Sequence, residues 1–276
     1  MKYNHRYLIT FVNCNRKRRI MSKVLFSISI AVFIFLFSCS NSAKENCKSC
    51  ELSNTDLLDS LENIMAQQKL DSIDKAKQLN LGLIDIQRIN KDIKVDLKYA
   101  GSDNFMKMKL YDKINKAMLQ KDVADRLSLC QHFLTKIHPN FYLLVYDAVR
   151  PLSVQQKMWD ALDSIPVGQR TKFVSNPANG SIHNYGAAVD LTICDQNGKA
   201  LDMGAEYDDI REIAYPRLEA QFLATGELSQ EQIDNRKLLR KVMASQKFTN
   251  IDTEWWHFNA CSRALAKEKY VLMEVE

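Results

Sequence analysis

Two short segments contain the residues of this sequence whose types and spacing could do chemistry. The first runs from Ser181 to Asp190 and includes His183, and the second runs from Glu254 to His257. Together they offer two imidazoles, one carboxylate suited to metal ligation and one spare carboxylate. This is the set that a zinc hydrolase uses, because three protein ligands leave a coordination position open for water.

The spacing alone brings these groups together only in part. A polar turn carrying His183 that leads into an alternating strand carrying Asp190 could bring both to one metal, with Gly186 supplying backbone freedom. On a regular strand Glu254 and His257 point to opposite faces, because side chains alternate. The two could still converge at the end of the strand or across a bulge. Their relation therefore stays open at this point.

Several polar segments, including the two above, follow one another along the chain. They are Asp96–Ala100 with Asp103–Phe105, Asp147–Pro151, Ser181–Asp190, Met203–Gly204 with Tyr207–Asp208, Asn235–Arg240 and Glu254–His257. Their residues and order resemble the zinc D-Ala-D-Ala dipeptidases of the VanX type, within the larger group of zinc D,D-peptidases. The likeness spans roughly residues 84–262, which is essentially one whole domain.

The resemblance implies a role for each matching residue of the reaction centre. His183, Asp190 and His257 would hold one Zn²⁺ per chain, with water in the fourth position. Glu254 would be the general base that takes a proton from this water and passes it to the leaving amine. Arg150 would stabilise the oxyanion, for which a fixed guanidinium fork is suited.

The resemblance also implies a small zwitterionic substrate. Tyr99 and Asp208 match positions that bind the free ammonium group of the substrate, and Ser181 matches one near the bound dipeptide. The implied function is hydrolysis of D-Ala-D-Ala and related D,D-dipeptides. One alternative is a D,D-carboxypeptidase on peptidoglycan stem peptides, with the same zinc and Glu254 but an open amino-side pocket. A second is a catalytically silent wall-binding lipoprotein, which would not bind stoichiometric zinc. The segment after Asp208 departs from the family pattern, so the pocket rim could differ.

Hydrophobic periodicity predicts an α+β domain, with a central, mainly antiparallel sheet flanked by helices. A helical spacer is predicted over roughly residues 53–80. The predicted strands are 84–89, 93–99, 141–146, 187–193 and 253–258, and the predicted helices of the domain are 122–137, 152–162 and 231–245.

The N-terminus is typical of an export signal, because a basic stretch ending at Lys23 precedes an apolar run of about 14 residues. The run ends in a segment resembling a bacterial lipobox, with Cys39 as the lipidated residue. Met21 could be the true start, and a single uncleaved anchor helix is the alternative. We predict an export signal over 1–39, a tether and spacer helix over 40–82, and the catalytic domain over 83–276. The protein would then be an extracytoplasmic, membrane-anchored lipoprotein, on the periplasmic side or at the outer membrane.

Charge and cysteine usage exclude some partners. The formal net charge is +5, but the N-terminal segment holds many of the basic residues and the remainder is close to neutral. No nucleic-acid partner is therefore expected. Cys47 and Cys50 have metal or redox spacing, yet no second pair lies nearby, so a linker is favoured over a functional site.

An exported enzyme cannot reach the cytoplasmic dipeptide pool, so the expected substrates are D,D-dipeptides outside the inner membrane.

Overall fold

The computed structural model describes residues 54–171 and 173–276. Helix α1, Asn54–Asn80, agrees with the predicted spacer helix. Of the helices described, none is long and apolar enough to cross a membrane. The export signal, Cys39, Cys47 and Cys50 lie outside the described residues, so these assignments stay predictions from sequence.

A five-stranded sheet forms the centre of the domain. Its order is β2–β4–β5–β7–β6, and of these pairings β2 with β4 is parallel while the others are antiparallel. A separate antiparallel pair joins β1 to β3. The fold is α+β with a mainly antiparallel central sheet, as predicted. The strands are β1 Leu83–Asp85, β2 Lys94–Val95, β3 Met118–Gln120, β4 Tyr142–Asp147, β5 Ala188–Cys194, β6 Thr249–Ile251 and β7 Glu254–Asn259.

Helices pack around this sheet. In chain order they are α2 Ile86–Ile89, α3 Lys121–Ile137, α4 Leu152–Ala161, α5 Val167–Arg170, α6 Glu219–Thr225, α7 Gln230–Ala244 and α8 Arg263–Lys269. Short 3₁₀ turns occur at Lys98–Ala100, Ile182–Tyr185, Glu212–Ala214 and Pro216–Leu218. The long helices α3, α4 and α7 fall close to the ranges predicted from their apolar periodicity.

The core lies between the sheet and helices α3 and α7. Helix α3 buries Val123, Leu127, Cys130 and Leu134, whose three- and four-residue spacing puts them on one face. Every residue of β5 is buried, as expected for a strand covered on both faces. The strand that carries Asp190 is therefore the most enclosed part of the sheet, and it can hold that side chain in one position.

Two strand predictions near the start of the domain are wrong. Residues 84–89 contribute strand only up to Asp85, because the Asp85 carboxylate accepts the Gln87 N–H and begins helix α2. Residues 93–99 contribute only Lys94–Val95 and then turn into a 3₁₀ helix that contains Tyr99. The alternating apolar residues in both segments reflect burial against the core, which a strand and a short helical turn can both achieve.

Candidate active site

The side chains of His183, Asp190 and His257 meet in one pocket. Asp190 Oδ1 lies 2.9 Å from His257 Nδ1 and 3.3 Å from His183 Nε2. The two imidazole nitrogens are 3.1 Å apart. Among the residues that the structure describes, these three form the group able to hold a metal ion.

Two neighbouring strands and one tight turn create this convergence. Asp190 on β5 and His257 on β7 are direct cross-strand partners, so their side chains share a face. His183 sits in the 3₁₀ turn that precedes β5, where Ser181 and Asn184 form a capping box. Gly186 ends this turn at φ 63°, and a Cβ there would come within 2.5 Å of a Leu83 side-chain carbon. The turn therefore requires glycine for both backbone and space.

A bulge in β7 brings Glu254 to the same pocket. Ile251 pairs with Glu254 whereas Asn250 pairs with Phe258, so the register slips between the two pairings. The Asn250 amide stabilises the slip by donating to the backbone oxygens of Glu254 and His257, each at 2.8 Å. Glu254 Oε2 then lies 3.9 Å from His257 Nδ1. The strand alternation that would separate them is broken by the bulge.

Each imidazole is oriented by a second hydrogen bond on its far nitrogen. His183 Nδ1 lies 2.6 Å from the Ala148 carbonyl oxygen, and His257 Nε2 lies 2.9 Å from Asn259 Oδ1. Because both partners are acceptors, the far nitrogens must donate, and this leaves His183 Nε2 and His257 Nδ1 for a metal. Asp190 Oδ2 accepts from Tyr207 at 3.2 Å, which leaves Oδ1 as the ligand atom.

The three donors fit Zn²⁺. Tetrahedral zinc with bonds of about 2.0–2.1 Å places neighbouring ligand atoms about 3.3 Å apart. The observed separations of 2.9, 3.1 and 3.3 Å lie close to this value. A donor set of two imidazoles and one carboxylate, each with an outer hydrogen-bond partner, is also typical of catalytic zinc.

We expect zinc binding to the metal-free protein to release about one proton at pH 7. Burial by itself lowers the pKa of His257, but the hydrogen bond and charge of Asp190 outweigh it and raise this pKa to about 9. At neutral pH the metal must displace that proton. Between about pH 7 and 8.5 the apparent Kd for zinc should therefore fall roughly tenfold per pH unit.

Calorimetry in buffers of different ionisation enthalpy measures the released proton directly. In Asn259→Ala one of the hydrogen bonds that raise the pKa of His257 is lost. The pH dependence of zinc affinity in this variant should shift to lower pH. A zinc affinity that is flat over this pH range would contradict the assignment of His257.

Arg150 lies beside the metal ligands and is buried. Its Nε and Nη2 donate to Asp147 Oδ2 at 3.0 and 2.7 Å, and Nη2 also lies 3.4 Å from Asp190 Oδ2. Within the described residues, Nη1 makes one long contact of 3.4 Å, to Gln155 Oε1. Since a guanidinium has five N–H groups, at least one on Nη1 is left for a ligand.

Asp208 and Tyr99 also line the pocket and contact each other. The Tyr99 hydroxyl donates to Asp208 Oδ1 at 3.1 Å. Asp208 Oδ2 is buried and accepts no hydrogen bond from the described part of the chain. Burial and the negative charge of Asp190 raise the pKa of Asp208 well above its usual value, against the opposing effects of Arg150 and Tyr99. An unpaired buried carboxylate of this kind is suited to a cationic ligand group.

The pocket is small. Its volume is about 160 Å³, below the roughly 300–1,000 Å³ of sites for drug-sized ligands. Ser181 lines it, but the Ser181 hydroxyl also accepts the His183 backbone N–H at 3.3 Å and so helps to hold the turn. The structure brings all the predicted site residues of the domain into this pocket: Tyr99, Arg150, Ser181, His183, Asp190, Asp208, Glu254 and His257.

Four residues of the site were not found from sequence. Asp147 holds Arg150, Asn259 orients His257, and Tyr207 donates to Asp190. Arg263 lines the pocket, is exposed, and has no carboxylate within ion-pair distance among the described residues. The order of motifs could have pointed to Asp147 and Tyr207, which both lie in matching segments. Nothing in the spacing of Asn259 or Arg263 marks them.

Residues 79–275 match the Peptidase M15 family, described as D-ala-D-ala dipeptidase. The chain belongs to this family. Members of the M15 family are metallopeptidases, and this chain is accordingly a zinc metallopeptidase. The family resemblance predicted from the motifs is confirmed.

Relatives named D-alanyl-D-alanine dipeptidase support the M15 assignment. The Escherichia coli (strain K12) protein is 33% identical over 180 residues, which cover 64% of this chain and 83% of that protein. The protein of Synechocystis sp. (strain ATCC 27184 / PCC 6803 / Kazusa) is 28% identical over 169 residues, covering 51% and 68%. The Enterococcus faecium protein is 25% identical over 194 residues, covering 65% and 92%.

Proposed function

We propose that this M15 peptidase hydrolyses free D-Ala-D-Ala and closely related D,D-dipeptides. The observation that carries the proposal is the combination of a small pocket of about 160 Å³ with the Oδ2 of Asp208, which accepts no hydrogen bond from the described residues. A free α-ammonium group would neutralise this carboxylate and donate a hydrogen bond to its free oxygen, whereas an acylated nitrogen would leave the carboxylate buried and unpaired. The names of the relatives point to the same substrate.

Groups of opposite charge line the pocket. Asp208, in contact with Tyr99, supplies a carboxylate, and Arg263, which follows the end of β7 in the chain, supplies a guanidinium. A zwitterionic dipeptide has an ammonium group at one end and a carboxylate at the other. We propose that Asp208 binds the ammonium and Arg263 the carboxylate, which places the peptide bond between them beside the metal ligands.

His183, Asp190 and His257 would hold a single Zn²⁺, which supplies Lewis-acid activation of water and of the peptide carbonyl. Glu254 takes a proton from the attacking water and delivers it to the nitrogen of the leaving D-alanine. The free N–H of Arg150 Nη1 donates to the carbonyl oxygen as negative charge develops there. The peptide C–N bond breaks, and two amino acids leave.

Burial suits Glu254 to this proton transfer. Burial and the charge of Asp190 raise the pKa of Glu254, although His257 opposes the shift. A carboxylate with a raised pKa is a stronger base than an ordinary surface carboxylate, and it can hold the proton until the amine leaves. The side chain keeps 31% exposure, so water can still reach it.

Three matched substrates test the proposal. Free D-Ala-D-Ala should be cleaved, while kcat/KM for N-acetyl-D-Ala-D-Ala should be lower by roughly 10³-fold or more, because acylation removes the charge that Asp208 needs. For D-Ala-D-Ala amide, kcat/KM should be only about two- to fivefold lower than for the free dipeptide. Arg263 is exposed, so its ion pair with the substrate carboxylate is screened by solvent. The zinc-loaded chain starting after Cys39 is used, and product D-alanine is measured.

Each outcome separates the candidate functions. Efficient cleavage of the acetylated substrate would overturn the dipeptidase proposal and favour a D,D-carboxypeptidase. A chain that binds no stoichiometric zinc and cleaves none of the three would be a silent wall-binding protein. The lipid anchor predicted at Cys39 would place the dipeptidase outside the inner membrane, where dipeptides arise from wall turnover or are scavenged.

A further inference from the structure

The segment that carries Asp208 has an unfavourable backbone conformation at its centre. It runs from Asp202 to Ile213, and we call it the Asp208 loop. It contains no regular helix or strand before the 3₁₀ turn that begins at Glu212. Asp208 itself has φ 62°, in the left-handed region that residues with a Cβ rarely adopt. Its carboxylate is also partly unpaired and buried. Both features are unfavourable, so the rest of the fold must hold the loop in place.

One buried guanidinium contacts the loop on both sides of Asp208. Arg236 on helix α7 is fully buried. Its Nε donates to the Met203 carbonyl oxygen at 2.6 Å, and its Nη2 donates to the Ile213 carbonyl oxygen at 3.0 Å. Met203 precedes Asp208 by as many residues as Ile213 follows it. Arg236 therefore fixes the distance between the two ends of the loop.

Neighbouring side chains of α7 fasten the first end of the loop. Gln232 donates to the Asp202 carboxylate at 2.9 Å, and Asn235 donates to the Asp202 carbonyl oxygen at 2.8 Å. Gly204 lies so close to α7 that a Cβ there would come within 2.8 Å of the Gln232 side-chain oxygen. The first end of the loop is thus packed directly against the helix.

The segment that follows the loop is held to the same helix through an ion pair. Arg240, one turn after Arg236, makes a bidentate contact to Glu219 at 2.7 and 2.7 Å. Glu219 begins helix α6, which follows the loop. Glu219 also lies 3.7 Å from Arg236 Nη1, and that nitrogen makes no hydrogen bond within the described residues. Side chains of helix α7 therefore hold both ends of the Asp208 loop in place.

Stability alone is a weak reason for a buried arginine here. A buried cation loses its hydration, and an apolar side chain of similar size often stabilises a core as well or better. What an apolar residue cannot do is hold two carbonyl groups at a set separation. The donors of Arg236 that are bonded go to backbone oxygens of the loop, so the contacts set the loop's geometry.

We propose that Arg236 is a positioning residue that sets the preference for a free amino group, by holding the loop so that Asp208 faces Tyr99 at the substrate's amino end. This inference rests on the proposed function, in which Asp208 binds the ammonium group. Arg236 itself touches neither substrate nor metal ligand. Its loss is expected to weaken substrate binding and to leave zinc binding unchanged.

The variant Arg236→Met keeps the side-chain volume and removes both loop contacts. We expect KM for D-Ala-D-Ala to rise about 10- to 100-fold with kcat within about threefold, because displacing Asp208 weakens an ion pair that the bound substrate and the transition state make equally. The preference for the free over the N-acetylated dipeptide should fall by the same factor. Arg126→Met is the matched control, because within the described residues the hydrogen bonds of Arg126 also go to backbone oxygens, those of Gln246 and Ala260, away from the loop. It should leave the preference unchanged.

A double-mutant cycle separates positioning from general damage. In an Asp208→Asn background, Arg236→Met should cause no further rise in KM, because the group it positions no longer carries charge. If Asp208→Asn alone leaves the preference intact, the proposed function is wrong and the positioning role with it. If Asp208→Asn abolishes the preference but Arg236→Met multiplies the loss, only the role of Arg236 is wrong. Should Arg236→Met fold poorly, Arg236→Lys, which can reach one carbonyl but not both, must show an intermediate preference.

Discussion

Replacing Glu254 with glutamine is expected to lower kcat by about 10³- to 10⁴-fold while the protein still binds one zinc per chain. Glutamine has nearly the same size, so the β7 bulge and the nearby metal ligands should stay in place. It cannot take the proton of the attacking water. The expected loss is the usual contribution of a positioned general base, with KM changed little.

The measurement is single-turnover hydrolysis of D-Ala-D-Ala together with zinc content. Glu254→Asp is the informative companion, because it keeps a base but retracts it by one methylene, so its loss of kcat should be smaller. Glu231→Gln, at the exposed start of helix α7, is the matched control and should change neither kcat nor zinc content. Glu254→Gln with more than about a tenth of the normal kcat would exclude Glu254 as the base.

The metal-binding pair could be predicted from sequence because it depends on local structure. The strand that holds Asp190 has a strong apolar pattern, and His183 lies in a polar turn that ends at glycine. Both features are encoded within one short stretch of the sequence. The strand that carries Asp190 then pairs with β7, which carries His257. Long helices such as α3 were found for the same reason, since their burial repeats over several turns.

The relation of Glu254 to His257 could not be predicted in this way. It depends on the register slip in β7, and that slip is held by Asn250 from a different strand. These hydrogen bonds join residues only four and seven positions apart, but a register slip between neighbouring strands leaves no periodic pattern in the sequence. The same limit explains the strands wrongly predicted over 84–89 and 93–99, where short apolar alternation fits a strand, a cap and a 3₁₀ turn equally well.

The family resemblance identified Asp208 as a site residue, but only the structure shows the physical environment of its side chain. Sequence places Asp208 in a loop without a pattern, and neither its left-handed backbone nor its unpaired oxygen can be read from neighbouring residues. Arg236 is a second residue whose contacts cannot be read from the sequence. Its helix is evident from periodicity, yet the two carbonyl groups that it joins lie in a segment distant in the chain.

Arg150 combines a structural and a catalytic contact, and its substitutions should separate them. Its ion pair with Asp147 is buried, and among the described residues the other side-chain groups near that carboxylate are the Tyr111 hydroxyl at 2.5 Å and His183 Nδ1 at 3.7 Å. Removing Arg150 leaves the Asp147 carboxylate buried without its cationic partner. Arg150→Met should therefore lower the free energy of unfolding by about 3–5 kcal/mol, in addition to any loss of activity.

Arg150→Lys isolates the catalytic contact, because lysine keeps the positive charge beside Asp147 but cannot present a planar fork of donors. If Nη1 of Arg150 stabilises the developing oxyanion, kcat should fall about 10²- to 10³-fold in Arg150→Lys, with a smaller loss of stability than in Arg150→Met. The measurements are kcat for D-Ala-D-Ala, zinc content and thermal unfolding of the zinc-loaded proteins. A lysine variant with normal kcat would show that charge near Asp147 is sufficient and that the guanidinium does not contact the reacting carbonyl. A large loss of kcat at normal zinc content and near-normal stability would instead support the contact between Arg150 Nη1 and the reacting carbonyl, because loss of the metal and unfolding are then excluded as causes.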